Sequence, residues 1–221
     1  MTTLAAAVAT ALALPAQAEL SANIGAVSNY VWRGATQTDD GPAIQGGIDY
    51  AHESGLFLGT WASNVEFGGD KYAEVDLYGG YGGSLGEDFS YKAGLYYYAY
   101  PKDDCPCDLL ELGVSGTYKM FTAGVSYTLS GEADDEATFS EGDVYVYGTV
   151  AIPLPQDFSL GLTVGHYHFD DDADTSYTHG LIGISKAAGD FGTFGFNVSF
   201  AEDDANGDDD PRFYVSWVKS F

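Results

Sequence analysis

His166 and His168 stand two residues apart, and Asp170 follows at the same interval. In an extended chain that spacing puts all three side chains on one face. Two imidazoles and a carboxylate suit zinc or copper, and His179 on the next apolar run is the nearest further imidazole. The competing reading is a strand end whose polar side chains meet solvent. The pattern is short and carries no third histidine of its own, so no metal site is expected. Cys105-Pro106-Cys107 is the other compact pair. In an exported chain disulfides persist, and a local bridge is preferred over free thiols or a metal clip, although a bridge spanning one residue is strained.

Carboxylates form the third kind of cluster: Asp39-Asp40, Asp103-Asp104, Asp134-Asp135, Asp170-Asp171-Asp172 and Asp208-Asp209-Asp210. Such runs read as solvated, self-repelling loops. Gathered on one rim they would also attract cations and repel anions. They suit hard divalent ions too, including ions shared with lipopolysaccharide phosphates. Catalysis finds less support. Ser126, His166, His168 and His179 are present, but no spacing pairs a nucleophile with its base. The sequence has no GxSxG elbow, phosphate loop or HExxH zinc signature. The expectation is a protein that is not an enzyme and needs no cofactor.

These residues sit in a chain of formal net charge −25 with 45% hydrophobic and 15% aromatic residues. Such acidity excludes binding to nucleic-acid phosphates, and the apolar content excludes disorder. With 29 glycines, 17 tyrosines and seven prolines, the composition favours strands. The opening "MTTLAAAVATALALPAQA" carries no charge and ends in a small-x-small site. It is shorter than the ~20 residues of a membrane span, so residues 1–18 are read as a signal peptide. Its basic n-region is missing, so either the signal is atypical or translation starts upstream. Residues 19–221 are then one exported domain.

Most of that domain repeats with a period of two. Phe121, Ala123, Val125, Tyr127 and Leu129 share one face against Thr122, Gly124, Ser126 and Thr128. Phe194, Phe196, Val198 and Phe200 oppose Thr193, Gly195, Asn197 and Ser199, and Val75, Leu77 and Tyr81 oppose Glu74, Asp76 and Tyr78. About twelve such segments follow one another, near 20–33, 41–52, 55–64, 72–83, 88–99, 109–118, 120–130, 142–152, 157–169, 177–187, 190–200 and 211–221. Their connections alternate between short turns and long charged loops, "EFGGDK" being counted among the long ones. That rhythm predicts an all-β, closed antiparallel up-and-down transmembrane β-barrel of about 12 strands, with both chain ends at the short-turn end. A secreted sandwich or jelly roll is the soluble alternative.

Tyr30, Trp32, Tyr96, Tyr98, Tyr100, Tyr145, Tyr147, Tyr167 and Tyr177 fall toward the long-loop ends. Tyr50, Phe57, Tyr81, Phe89, Tyr91, Tyr118, Phe158, Phe191 and Trp217 fall toward the short-turn ends. Two belts of lipid-facing aromatics are therefore expected. The facing turns Arg33, Gln45, Asp49, Glu74, Asp76, Lys92 and Glu111 to the lumen, because a charge toward mid-bilayer lipid is costly. These seven are the candidate pore-lining residues, unless they pair and plug the interior. The closing run puts Phe213, Val215, Trp217 and Phe221 on the lipid face. With Phe213, Trp217 and Phe221 it resembles the carboxy-terminal signal read by the bacterial barrel-assembly machinery. Lys219 departs from that pattern, and its charge would snorkel to the headgroups.

The stretch "SNYVWRGATQTDDGPAIQGGIDYAHESGLFLGTWASNVEF", residues 28–67, resembles the opening of the TorF family of bacterial porin candidates. The matching features include Asn29-Tyr30-Val31-Trp32-Arg33-Gly34, Thr36-Gln37-Thr38, Pro42, Gln45-Gly46-Gly47, Asp49-Tyr50 and Ser54-Gly55. "EVDLYGGYGG" and "LYYYAYP" fit as well. The resemblance implies an outer-membrane barrel with passive transport and leaves the solute open.

Together these readings give an outer-membrane porin-like channel for small solutes. Cation preference would come from Asp39, Asp40, Asp103, Asp104, Asp134, Asp135, Asp171, Asp172, Asp208 and Asp209 on the outer rim. Expected partners are outer-membrane lipid and lipopolysaccharide, the assembly machinery during biogenesis, and the solutes; the oligomeric state is open. Short turns and both termini would be periplasmic and the acidic loops extracellular. The alternative is a non-conducting barrel whose loops bind divalent cations, lipopolysaccharide or a surface partner.

Overall fold

The computed structural model describes residues 18–101, 107–131, 139–170, 175–202 and 209–221. The expected signal peptide therefore lies almost wholly outside the described residues, as do Asp103, Asp104, Cys105, Asp134, Asp135, Asp171, Asp172 and Asp208.

Alternation of side-chain type becomes twelve long strands. They are β1 (Glu19–Val27), β4 (Ala43–Ala51), β5 (Leu56–Phe67), β6 (Asp70–Leu85), β7 (Phe89–Ala99), β8 (Leu109–Tyr118), β9 (Phe121–Gly131), β10 (Val144–Leu154), β11 (Phe158–His168), β12 (Tyr177–Ala187), β13 (Thr193–Ala201) and β14 (Arg212–Ser220). Each pairs antiparallel with its neighbour, and β1 joins β4 on one side and β14 on the other, closing the barrel. Closure leaves no edge of unpaired peptide groups. Two short strands, β2 (Val31–Trp32) and β3 (Ala35–Thr36), pair only with each other.

Period two sorts the wall into two chemistries. Leu20, Ile44, Leu58, Leu77, Leu95, Val125, Val164, Ile182, Phe196 and Val215 are exposed on the outside. Gln45, Glu74, Asp76, Glu111, Thr163, Ser185, Asn197 and Ser216 are buried on the inside. This inversion of a soluble protein's pattern is what hydrocarbon outside and polar groups inside demand.

Short turns close the end that holds both Glu19 and Ser220. His52–Gly55 is closed by Gly55 N–H to His52 O, and Lys119 takes a left-handed φ of 54° between the paired Tyr118 and Phe121. At the opposite end one expectation fails. "EFGGDK" is not a long loop, because Phe67 pairs with Asp70 across a two-residue turn. Gly68 and Gly69 adopt φ of 61° and 86°, the pair of left-handed conformations that a type I′ hairpin needs. Glycine supplies them without strain, so β5 and β6 run on past the other strands.

The aromatic belts are half as expected. At the short-turn end Tyr50, Tyr81, Tyr91, Tyr118 and Phe191 are exposed on the outer face, while Phe57 turns inward under Lys92. At the other end Tyr98, Tyr145, Tyr167 and Tyr177 are buried inside, and Tyr96, Tyr100 and Tyr147 share their interior face. The outer-face aromatics there are Tyr97, Tyr127, Phe200 and Phe213. The displaced tyrosines serve the site described next.

Candidate functional site

Residues 28–42 connect β1 to β4 and fold into the lumen instead of leaving the barrel. The local cause is a second type I′-like turn. Val31 pairs with Thr36 and Trp32 with Ala35, leaving Arg33 and Gly34 at the tip with φ of 48° and 92°. A non-glycine residue in this region is uncommon, so the hairpin's surroundings must hold Arg33 there. Asn29 fastens the base: its Nδ2 donates to Asp40 Oδ1 at 2.6 Å, and its Oδ1 accepts from Thr36 Oγ1 at 2.7 Å. The returning leg docks on the extended β5, where Glu66 N–H donates to Gln37 O at 2.9 Å.

The tip reaches the far wall. Arg33 Nη1 and Nη2 donate to Glu111 Oε1 and Oε2 at 2.7 and 2.6 Å, a bidentate pair. The pair is nearly sealed, with side chains 7% and 1% exposed. Ser126 Oγ accepts a longer bond from Arg33, and the Tyr98 and Tyr167 hydroxyls donate to the same carboxylate. The guanidinium lies 4.2 Å from the ring centroids of both Trp32 and Tyr145, within cation–π range. Burial opposes the Arg33 charge, but the Glu111 carboxylate outweighs it and holds the group well above its ordinary pKa. A register irregularity in β8–β9 falls between Leu110 and Glu111. Such bulges re-aim a side chain.

Other walls grip the backbone of the tip. Tyr177 Oη donates to Arg33 O at 3.0 Å, and Arg212 Nη1 donates to Gly34 O at 3.2 Å while its Nε reaches Asp40 Oδ1. A Cβ on Gly34 would sit 2.6 Å from His179 Cβ, so close approach as well as positive φ requires glycine. Tyr30 packs edge-on against Trp61, and Trp32 packs against Tyr98, Phe139 and Tyr167. The hairpin thus touches β5, β7, β8, β9, β10, β11, β12 and β14. It spans the lumen.

All seven pore-lining candidates point into the barrel, in two groups. Arg33, Glu74, Asp76 and Glu111 lie around the hairpin. Toward the short-turn end, Asp49 accepts from the Tyr78 hydroxyl at 2.6 Å and Lys92 Nζ lies 4.0 Å from the Phe57 ring. Gln45 reaches Ser63, which pairs in register with Glu74, and so belongs with the first group. Of the rim acids, Asp39, Asp40 and Asp209 are exposed, and Asp40 is also engaged by Asn29 and Arg212.

The metal candidates are not brought together. His166 Nδ1 meets Thr178 Oγ1 and His168 Nδ1 meets Ser176 Oγ on the outer face. His179 is inside with Tyr145 at 2.8 Å, on the opposite side of the wall. No group of three or more His, Cys, Asp or Glu side chains gathers among the described residues. Cys107 is disulfide-bonded, while Cys105 lies outside the described residues. Phe213, Trp217 and Phe221 all project outward from or just beyond β14. Sequence reasoning missed the inward course of residues 28–42. The available signal was Trp-Arg-Gly between two short alternating pairs, with more tyrosines at the loop ends than a lipid girdle uses.

The fold is shared with proteins of known structure. The KdgM porin has 11% identity over 91% of this chain and 99% of its own, with a TM-score of 0.63, and it has also been solved in complex with disordered oligogalacturonate. The NanC porin matches at 10% identity over 91% and 98% of the two chains, TM-score 0.59. Outer membrane phospholipase A from Escherichia coli matches at 10% identity over 90% and 95%, TM-score 0.51. At such identities the likeness is one of fold. No curated protein matches the sequence. A family model does, over residues 13–217: the chain belongs to the family described as "Bacterial protein of unknown function (Gcw_chp)".

Proposed function

We propose that this protein is an outer-membrane porin-like channel for small solutes, narrowed by the hairpin of residues 28–42. One observation carries the reading: a closed sheet whose outer face is apolar and whose inner face is polar and charged. Such a wall is stable with lipid outside and has little reason to keep a polar interior unless water or solute enters. The likeness of residues 28–67 to the TorF family, and a fold shared with the KdgM and NanC porins, agree with it.

Selectivity follows from charge and width. The interior carries Asp49, Glu74, Asp76 and Glu111 against Arg33, Lys92 and Arg212, of which Arg33 is neutralised by Glu111 and Arg212 is paired with Asp40. That balance favours small cationic or neutral solutes over a polyanion such as the oligogalacturonate of the KdgM complex. Short turns and both termini would face the periplasm and the acidic loops the exterior, where they meet lipopolysaccharide. Phe213, Trp217 and Phe221 would present the assembly signal.

The wall-to-wall hairpin favours a second reading, a barrel shut at rest whose acidic loops bind divalent cations, lipopolysaccharide or a surface partner. Refolded protein in a planar bilayer under a KCl gradient separates the two. The channel reading expects single-channel steps and a cation-favouring reversal potential. Silence of the wild-type protein defeats it, and an anion-favouring potential removes the selectivity.

A further inference from the structure

Glu74 and Asp76 stand two residues apart on the inward face of β6, each 2% exposed. The two carboxyl groups face each other, and beyond that mutual contact Glu74 Oε2 and both carboxylate oxygens of Asp76 are buried with no hydrogen-bond donor. The other interior acids differ: Glu111 is held by Arg33, and Asp49 accepts from Tyr78. Among the described residues no Lys, Arg or His forms a salt bridge with either Glu74 or Asp76. Tyr30, from the stem of the inward hairpin, and Tyr100 both interact with Glu74 through their phenols. In register, Trp61 and Tyr98 flank Asp76 and close its sides with rings.

Carboxylates in so dry a place are costly unless something positive joins them. A single shared proton would link the two groups and still leave open oxygens. A cation of charge two would neutralise both at once. The donors are oxygens only, two of the residues are anionic, and little room is left for a complete hydration shell. Calcium accepts irregular oxygen sets, whereas magnesium keeps its own waters and demands octahedral order.

We propose that Glu74 and Asp76 form a calcium site inside the barrel, capped by the Tyr30 stem of the hairpin. Calcium there ties the hairpin to β6, two strands from the tie that Arg33 makes to β8. The site does not depend on conduction, since binding is read in detergent without a current.

The test takes mature protein refolded in detergent, strips it with EDTA and titrates CaCl2 calorimetrically in KCl buffer of physiological ionic strength. One saturable site is expected. E74Q and D76N each weaken it by about tenfold or more, because ligand charge sets affinity, and E74Q/D76N abolishes it. D39N/D209N, altering exposed loop acids, leaves it unchanged. Terbium supplies a local readout: its emission, excited through nearby tyrosine, appears in the wild type and disappears in E74Q/D76N. In EDTA the double variant melts no lower than the wild type, since it loses buried uncompensated charge. Should the double variant not refold, E74Q and D76N carry the comparison. No saturable calcium uptake by the wild type, or uptake unchanged in the variants, overturns the site and leaves the channel reading standing.

Discussion

Arg33 has a left-handed backbone, a stacked guanidinium and a bidentate carboxylate partner, so its environment fixes it three ways. A buried pair of this kind gives weak net stabilisation, because desolvation offsets attraction, yet it is costly to break from one side. Glu111→Ala leaves the guanidinium buried and uncompensated beside Trp32 and Tyr145. It should cost about 3–5 kcal/mol, read by urea unfolding of the refolded barrel with Trp32 fluorescence as the local probe. R33M/E111L, which removes both charges and keeps apolar bulk, should recover most of that loss. If the double variant is as unstable as Glu111→Ala, the pair supplies stability of its own and the account of weak net stabilisation fails. Lysine at position 33 is no substitute, since it lacks the planar fork that meets both Glu111 oxygens.

At the scale of elements, the hairpin is separable from the wall that receives it. β1 and β4 pair continuously from Glu19–Ala51 to Val27–Ala43, so the sheet closes before the chain enters the lumen. Replacing residues 29–40 with a short Gly-Ser turn should leave heat-modifiable gel mobility intact and raise single-channel conductance severalfold above wild type. Unchanged conductance would mean that the hairpin does not define the narrowest passage. The strands themselves were legible in the sequence. Where one face is all apolar and the other all small or polar, as in β9 and β13, lipid and lumen leave no choice of facing. The hairpin was not legible, for a physical reason. Period two separates two faces but cannot say which receives an aromatic when both do, and Tyr96, Tyr97 and Tyr98 alternate inside, outside, inside. Tyrosine suits a lipid interface and a hydrogen-bonded interior equally. Nor does spacing show that Glu111, 78 residues on, waits for Arg33. The Gly68-Gly69 turn was legible from its chemistry, but the charges flanking it gave it the look of a long loop.

For the whole molecule, the apolar outer belt determines where the barrel can reside. Val164 sits near the middle of β11 with its side chain outward and 58% exposed, between the outward positions of β10 and β12 that pair with it, Gly148 and Gly180. Gly148 adds no side chain there and the Phe200 ring lies over Gly180, so these neighbours offer only apolar surface to a charge placed there. If hydrocarbon covers this face, Val164→Lys destabilises the barrel by about 2–4 kcal/mol in phospholipid vesicles, the midplane value for a base. Were the outer face meeting water, the same lysine would fall within the small range of ordinary surface changes. Thr163→Lys, one residue away, points into the lumen beside Thr149 and should cost far less, because its charge meets the polar interior rather than hydrocarbon. Denaturant unfolding of the two variants, each against wild type in the same vesicles, measures the difference across a single peptide unit of the wall. Equal costs would mean that the two faces do not meet different solvents, and neither the membrane location nor the channel would survive that result.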